Sequence, residues 1–268
     1  MICPNCHSQN DNNAKLCSSC GADLTAGNGS LKAATNTGLV LGKAARAARL
    51  QEVVDPDAII SDRAYNGTMV GVLLWGLLIN VLLCWKVGSV YNAFPNMSPL
   101  AFLIGYLVLA FAGIFTTVKA KSPLIAFLGY NLVVIPFGLV ISTLVEAYGG
   151  ISSNVVTLAF LYTLLVAVGI TATVIMFPNL FAKLGGVLGG VLIGLILCEI
   201  VLAIARVQQI WTCWLAAGLF SVYLGYDIYR SQQYPKTVKN AVMSALDIYL
   251  DLANLFIRIL EILGKKDD

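Results

Sequence analysis

From Thr68 to Leu263 the chain repeats one pattern, an apolar run of about 20 residues or slightly more followed by a short polar break. The runs are Thr68–Val87, Ser98–Val118, Ser122–Val145, Asn154–Met176, Lys183–Ala205, Gln209–Tyr229 and Ala241–Leu263. A hydrocarbon core about 30 Å thick needs about 20 helical residues to cross it, so each run has spanning length. Between Thr68 and Tyr226 the ionisable acids and bases are Lys86, Lys119, Lys121, Glu146, Lys183, Glu199 and Arg206, and they mostly separate the runs. Pro95, Pro99, Pro123, Gly149-Gly150, Pro178 and Pro235 mark connections short enough to keep consecutive helices adjacent. The pattern predicts an all-α membrane protein with seven transmembrane helices over residues 62–264.

Composition agrees with the pattern. Of the 268 residues, 58% are hydrophobic and only 12% charged, and the mean hydropathy is +0.81, far from the balance of a soluble domain. A disordered chain and an ordinary cytosolic enzyme are excluded on these grounds. The formal charge of +3 gives no field with which to hold nucleic acid. The expected surroundings are a lipid bilayer.

Residues 1–24 break the pattern. Cys3-Pro4-Asn5-Cys6 and Cys17-Ser18-Ser19-Cys20 are two C-x-x-C knuckles, and they hold four of the 7 cysteines. Two thiolates at this spacing grip one ion from a tight turn, and two such turns close the tetrahedral S4 shell of structural Zn2+. The segment reads as a zinc ribbon bound by Cys3, Cys6, Cys17 and Cys20. A disulfide pair would need an oxidising compartment, and a thioredoxin-like site would need a βαβ context that is absent. His7, the single histidine, is read as a solvated neighbour. Four thiolates leave no open position for a catalytic water.

Residues 25–61 read as a linker and juxtamembrane segment. Gly27-Asn28-Gly29-Ser30 is flexible in composition, and Lys32, Lys43, Arg46 and Arg49 then punctuate an Ala- and Leu-rich stretch. Two readings stay open there, an interfacial helix and a basic linker drawn to anionic headgroups. No secretory signal is read before it. Placing the N-terminus in the cytoplasm puts twelve Lys and Arg residues inside and five outside, in line with the positive-inside rule. The ribbon thiols then lie in a reducing compartment, and an odd number of spans puts the C-terminus on the opposite side.

Two features lie within the helices. Gly185-Gly186-Val187-Leu188-Gly189-Gly190, with Gly194, has small-xxx-small spacing and predicts close helix packing. Chemistry gathers in the last two helices, with Asp227 near the end of the sixth and Asp247, Asp251, Asn254, Arg258 and Glu261 along the seventh. The last five lie on one helical stripe, which must face the bundle interior or a wet cavity, since each charge facing lipid costs roughly 2.5–3.5 kcal/mol. Asp227 and Asp251 can lie in the cytoplasmic half on antiparallel neighbours, so a carboxylate pair is permitted. Cys84, Cys198 and Cys213 fall within helices and are read as small hydrophobes.

Three stretches carry a family resemblance: Gly225-Tyr226-Asp227-Ile228-Tyr229-Arg230, then Ala245-Leu246-Asp247-Ile248-Tyr249-Leu250-Asp251-Leu252-Ala253-Asn254-Leu255-Phe256, and more weakly Lys121-Ser122-Pro123-Leu124. In these the chain resembles the Bax inhibitor (transmembrane Bax inhibitor motif) proteins from about Asp62 to Gly264, with the zinc ribbon outside the likeness. The resemblance implies a seven-helix bundle and a pH-sensitive leak for Ca2+, closed by a proton-sharing aspartate pair at the positions of Asp227 and Asp251. Two carboxylates in a poorly solvated site cannot both ionise cheaply, and their protons leave as a coupled pair. The chain departs from the family at Asp247, where a neutral residue is usual. It also offers only Lys119 and Lys121 where the bacterial member has an arginine near the end of the second helix.

Other readings stand beside the channel. Asp247, Asn254 and Arg258 are expected on the ion path, but polar residues between membrane helices also serve as hydrogen-bonding glue. The resemblance further implies members that regulate a membrane protease or a stress response by binding, for which a tethered ribbon would be a protein-docking module. An intramembrane aspartyl protease is disfavoured, because Asp251 lies in Tyr-Leu-Asp and not in Gly-x-Gly-Asp, and no enzyme is expected. About twenty residues cannot bury a useful core, so zinc must supply the ribbon's folding free energy. Metal analysis of chain purified without chelators is expected to give one zinc per chain, and zinc removal to leave the bundle's thermal unfolding unchanged.

Overall fold

The computed structural model describes residues 49, 50, 54, 56–184, 187–205 and 210–265, all within one compact unit, Val40–Asp268. After a 3-10 turn at Pro56–Ala58, these residues form nine α-helices. They are α1 (Asp62–Lys86), α2 (Val90–Ala93), α3 (Pro99–Val118), α4 (Pro123–Ala147), α5 (Asn154–Met176), α6 (Pro178–Ala182), α7 (Leu188–Ile204), α8 (Ile210–Ser231) and α9 (Val238–Gly264). No strand occurs among the described residues.

The polar breaks start the helices. Side-chain oxygens of Ser61, Ser98, Ser122, Ser153 and Thr237 each accept a hydrogen bond from the backbone N–H three residues on, which satisfies an otherwise orphaned donor. Proline opens α3, α4 and α6, where its missing N–H is not needed. Each expected apolar run coincides with one of the longer helices, although several ends differ. Ser61 caps α1 at Asp62, ahead of the apolar run, because Asp62, Arg63 and Asn66 extend the same helix beyond it. Conversely, α7 starts at Leu188, after the Lys183 expected to open it.

Four helices, α1, α3, α4 and α5, are long and apolar enough to cross a membrane, and α7 is apolar but shorter. Charged and polar side chains keep α8 and α9 out of that group. Large apolar side chains point outward, among them Leu103, Phe111, Phe160, Leu165, Ile193 and Val201, as suits a surface bathed in lipid.

The helix with the most charged side chains takes the centre. α9 packs against α1, α4, α5 and α8, while α3 lies outside on α4 and α7 lies outside on α8. Every residue from Asn240 to Leu246 is buried, so this part of α9 has no solvent or lipid face. Tyr65, Tyr130, Val133, Val134, Leu246 and Tyr249 make the middle of the core. At its heart Asn80 Nδ2 donates to Tyr249 Oη at 2.9 Å, and Tyr130 Oη donates to the Val72 carbonyl at 2.9 Å. A smaller cluster of Leu188, Leu195, Ala216, Leu219, Tyr223 and Tyr226 joins α7 to α8.

The expected glycine contact is found elsewhere. Gly189, Gly190 and Gly194 face open space, because α7 meets α8 through Leu188, Leu192 and Leu195. Gly185 and Gly186 lie outside the described residues. The tight crossing joins α3 and α4: a Cβ at Gly113 would stand 2.7 Å from the Gly129 carbonyl oxygen, and one at Gly129 2.8 Å from that of Gly113. Thr117 Oγ1 donates to the Gly113 carbonyl at 2.8 Å beside it. Gly129→Leu is expected to lower stability by about 3 kcal/mol through overpacking, whereas Gly190→Ala should stay within about 0.5 kcal/mol. Thermal unfolding of the two variants in one detergent measures the contrast.

Candidate functional site

The site is built around the turn from α8 to α9. Pro235 cannot extend a helix beyond its first turn, and Thr237 then caps α9 by accepting from the Asn240 N–H at 3.1 Å. Asn240 Nδ2 donates to the Pro235 carbonyl at 3.1 Å and closes the turn. α1 fastens to it as well, since Ile60 N–H donates to the Lys236 carbonyl at 2.8 Å and Tyr65 Oη to the Ser231 carbonyl at 2.9 Å. Burial pushes the Lys236 ammonium below its usual range, opposed by the charge of Asp62. Burial likewise raises the Tyr234 phenol, with Arg49 opposing.

Two acids are held inside the bundle. Asp227, near the end of α8, is 5% exposed, and Asp251, on α9, is 6% exposed. Asp247 precedes Asp251 by one helical turn, about 6 Å of rise, and its side chain is 28% exposed. Its partner comes from far away in sequence. Arg49 Nη1 lies 3.1 Å from Asp247 Oδ2, and its Nη2 donates to Ser244 Oγ at 3.1 Å and to the Asn240 carbonyl at 3.3 Å. The guanidinium carbon sits 3.9 Å above the centre of the Tyr234 ring.

The expected polar stripe therefore divides. Asn254 turns back on its own helix, donating to the Leu250 carbonyl at 2.8 Å. Arg258, seven residues and about 10 Å beyond Asp251, belongs to a second ionic group. Its Nη2 lies 2.8 Å from Glu199 Oε2 on α7 and its Nη1 3.0 Å from Glu261 Oε2. The Cys213 thiol on α8 donates to that same Glu261 oxygen at 3.5 Å, so this cysteine does more than fill space. The cluster links α7, α8 and α9 through charge.

Sequence reasoning missed Arg49, which it placed in a linker, and the pairing of Glu199. An acid within an apolar helix is itself a signal that a cation must lie near, and Glu199 carried that signal. Arg49 carried none beyond its charge. The cation beside Asp247 is neither Lys119 nor Lys121: Lys119 caps the end of α3 with its ammonium 4.2 Å from the Phe115 ring centre, and Lys121 is exposed. An apolar cavity of about 510 Å³ lies between α1, α4, α5 and α9, with Asn80, Thr157 and Thr163 among its polar residues. No group of three or more His, Cys, Asp or Glu is arranged for a metal among the described residues, and Cys3, Cys6, Cys17 and Cys20 lie outside them.

A bundle that turns its large apolar side chains outward and wraps its most charged helix in the middle is an integral, multi-pass membrane protein. The chain belongs to the Bax inhibitor family: the family model described as "Inhibitor of apoptosis-promoting Bax1" matches residues 61–268. A zinc-ribbon domain matches residues 2–24. Comparison with curated proteins gives no significant match.

The two carboxylates on Arg258 make a test of that cluster. Arg258→Ala is expected to destabilise the bundle by about 3 kcal/mol, because it leaves Glu199 and Glu261 facing each other without a cation. Glu199→Gln, which keeps the shape and leaves Arg258 paired with Glu261, should cost clearly less in the same thermal measurement.

Proposed function

We propose that the protein is a pH-sensitive leak channel for calcium, gated by a proton-sharing pair of Asp227 and Asp251. The observation that carries this reading is the burial of both acids, 5% and 6% exposed, on neighbouring helices of a membrane bundle. Acids withdrawn from water within a membrane are costly and mark ion or proton paths. Membership of the Bax inhibitor family supports it. In this reading the long helices supply seven spans, the N-terminal ribbon is cytoplasmic and the C-terminus lies across the membrane. Calcium is the permeant ion and the reading involves no catalysis. Asp247 and Asn254 line the approach to the pair, and Arg258 holds the other end of α9 through its carboxylates. The donor set of the ribbon, four thiolates as two C-x-x-C pairs, suits structural zinc on Cys3, Cys6, Cys17 and Cys20.

The gate follows from electrostatics. With a proton between them the two carboxylates hold each other, and its loss leaves two like charges in a poorly solvated site, which the closed packing must relieve by opening. Flux therefore rises as pH rises. Calcium flux into liposomes carrying the full chain is expected to increase with pH in the wild type and to lose that dependence in Asp251→Asn, since an amide does not ionise. Asp247→Asn should shift the midpoint and keep the response. Absence of flux at every pH, or an unchanged profile in Asp251→Asn, would overturn the assignment.

The zinc ribbon supports a second reading, in which the membrane domain anchors a regulator that binds a membrane protease or stress protein through residues 2–24. Partner capture by the full chain that is lost in Cys17→Ser with Cys20→Ser, from a protein that conducts nothing, is the result that favours it.

A further inference from the structure

Arg49 lies outside the span matched to the Bax inhibitor family, yet it is 8% exposed and its partners among the described residues lie nearly two hundred residues later. Those partners form a compact receptor. Tyr234 is 3% exposed, Asn240 is fully buried and Ser244 is 1% exposed, so three of its four walls belong to the packed turn and first helical turns of α9. Each wall offers what a planar guanidinium can use: the Tyr234 face below, the Asp247 carboxylate at one Nη, and the Ser244 hydroxyl with the Asn240 carbonyl at the other. Tyr65 Oη lies 3.1 Å from Ser244 Oγ and fixes that hydroxyl from the other side. An ammonium is a point charge and cannot stack flat on the ring while reaching both sides.

We propose that the start of α9 carries a guanidinium-binding site made of Tyr234, Asn240, Ser244 and Asp247, and that Arg49 fills it from within the chain. Occupancy of this site fastens the chain at Arg49 to the helix that bears Asp251. Arg49 is thereby an exchangeable occupant of the site, with the carboxylate of Asp247 as its anchor. This assignment holds whether or not the protein conducts ions.

Chemical rescue tests it. In the full chain, reconstituted in nanodiscs, Arg49→Gly is expected to lower the midpoint of thermal unfolding by about 4 °C. Methylguanidinium at about 10 mM should restore at least about half of the loss, whereas methylammonium at the same concentration should restore little. Adding Asp247→Asn should abolish the rescue. Spin labels on bio-orthogonal residues at Leu50 and Gln233, which leave the cysteines untouched, should give a narrow distance distribution in the wild type. That distribution should broaden in Arg49→Gly and in Asp247→Asn. Equal rescue by the two cations, rescue that survives Asp247→Asn, or label distances unchanged by either variant would overturn the assignment. If Arg49→Gly does not fold, Arg49→Gln supplies the same label measurement, and an unchanged distribution there counts equally against it.

Discussion

The bundle is organised by the cost of placing charge in hydrocarbon. Asp247, Asp251, Arg258 and Glu261 recur along α9 with a spacing that puts them on one stripe, and a helix so marked cannot present that stripe to lipid. It must be surrounded, and α1, α4, α5 and α8 surround it. The apolar helices follow from this, since their own large side chains can remain outside at no cost. Lipid tails are as apolar as leucine, so what holds such helices together is close packing and hydrogen bonding between them. The crossing of Gly113 with Gly129 and the Asn80–Tyr249 pair are two forms of that same solution.

The charges on α9 are then settled at three levels. At one end Arg258 spends its two Nη groups on Glu199 and Glu261, so an arginine inside the bundle brings two carboxylates with it. At the other end Asp247 is answered by Arg49 from outside the family domain. Between them Asp251 is buried, with Asp227 buried on the neighbouring helix. Ionic clusters on either side of Asp251 tie α9 to its neighbours, and the buried acids lie between them.

Glycine spacing illustrates the limit of a motif. The run from Gly185 to Gly194 has the stronger small-xxx-small pattern, yet its described glycines face open space, while Gly113 and Gly129 sit on different helices with no common motif and carry the close crossing. A small residue permits approach and does not cause it. Which helix arrives there depends on all the other faces, and the leucines of α7 turn its glycines away from α8.

Sequence by itself determined the class of the protein. Apolar runs of spanning length, the serine and proline starts, the two C-x-x-C knuckles and the matched stretches around Asp227 and Asp251 are local properties, and local properties survive without a structure. The helical period also determined that Asp251 and its neighbours share a stripe. Tertiary structure decided the rest: that the stripe is divided between two ionic clusters, that Glu199 belongs to Arg258, and that Asp247 belongs to Arg49. The physical reason is distance along the chain. Arg258 and Glu199 are fifty-nine residues apart, and Arg49 and Asp247 one hundred and ninety-eight, and the order of residues gives no preference among the cations available to an acid until the packed helices bring a particular one within reach.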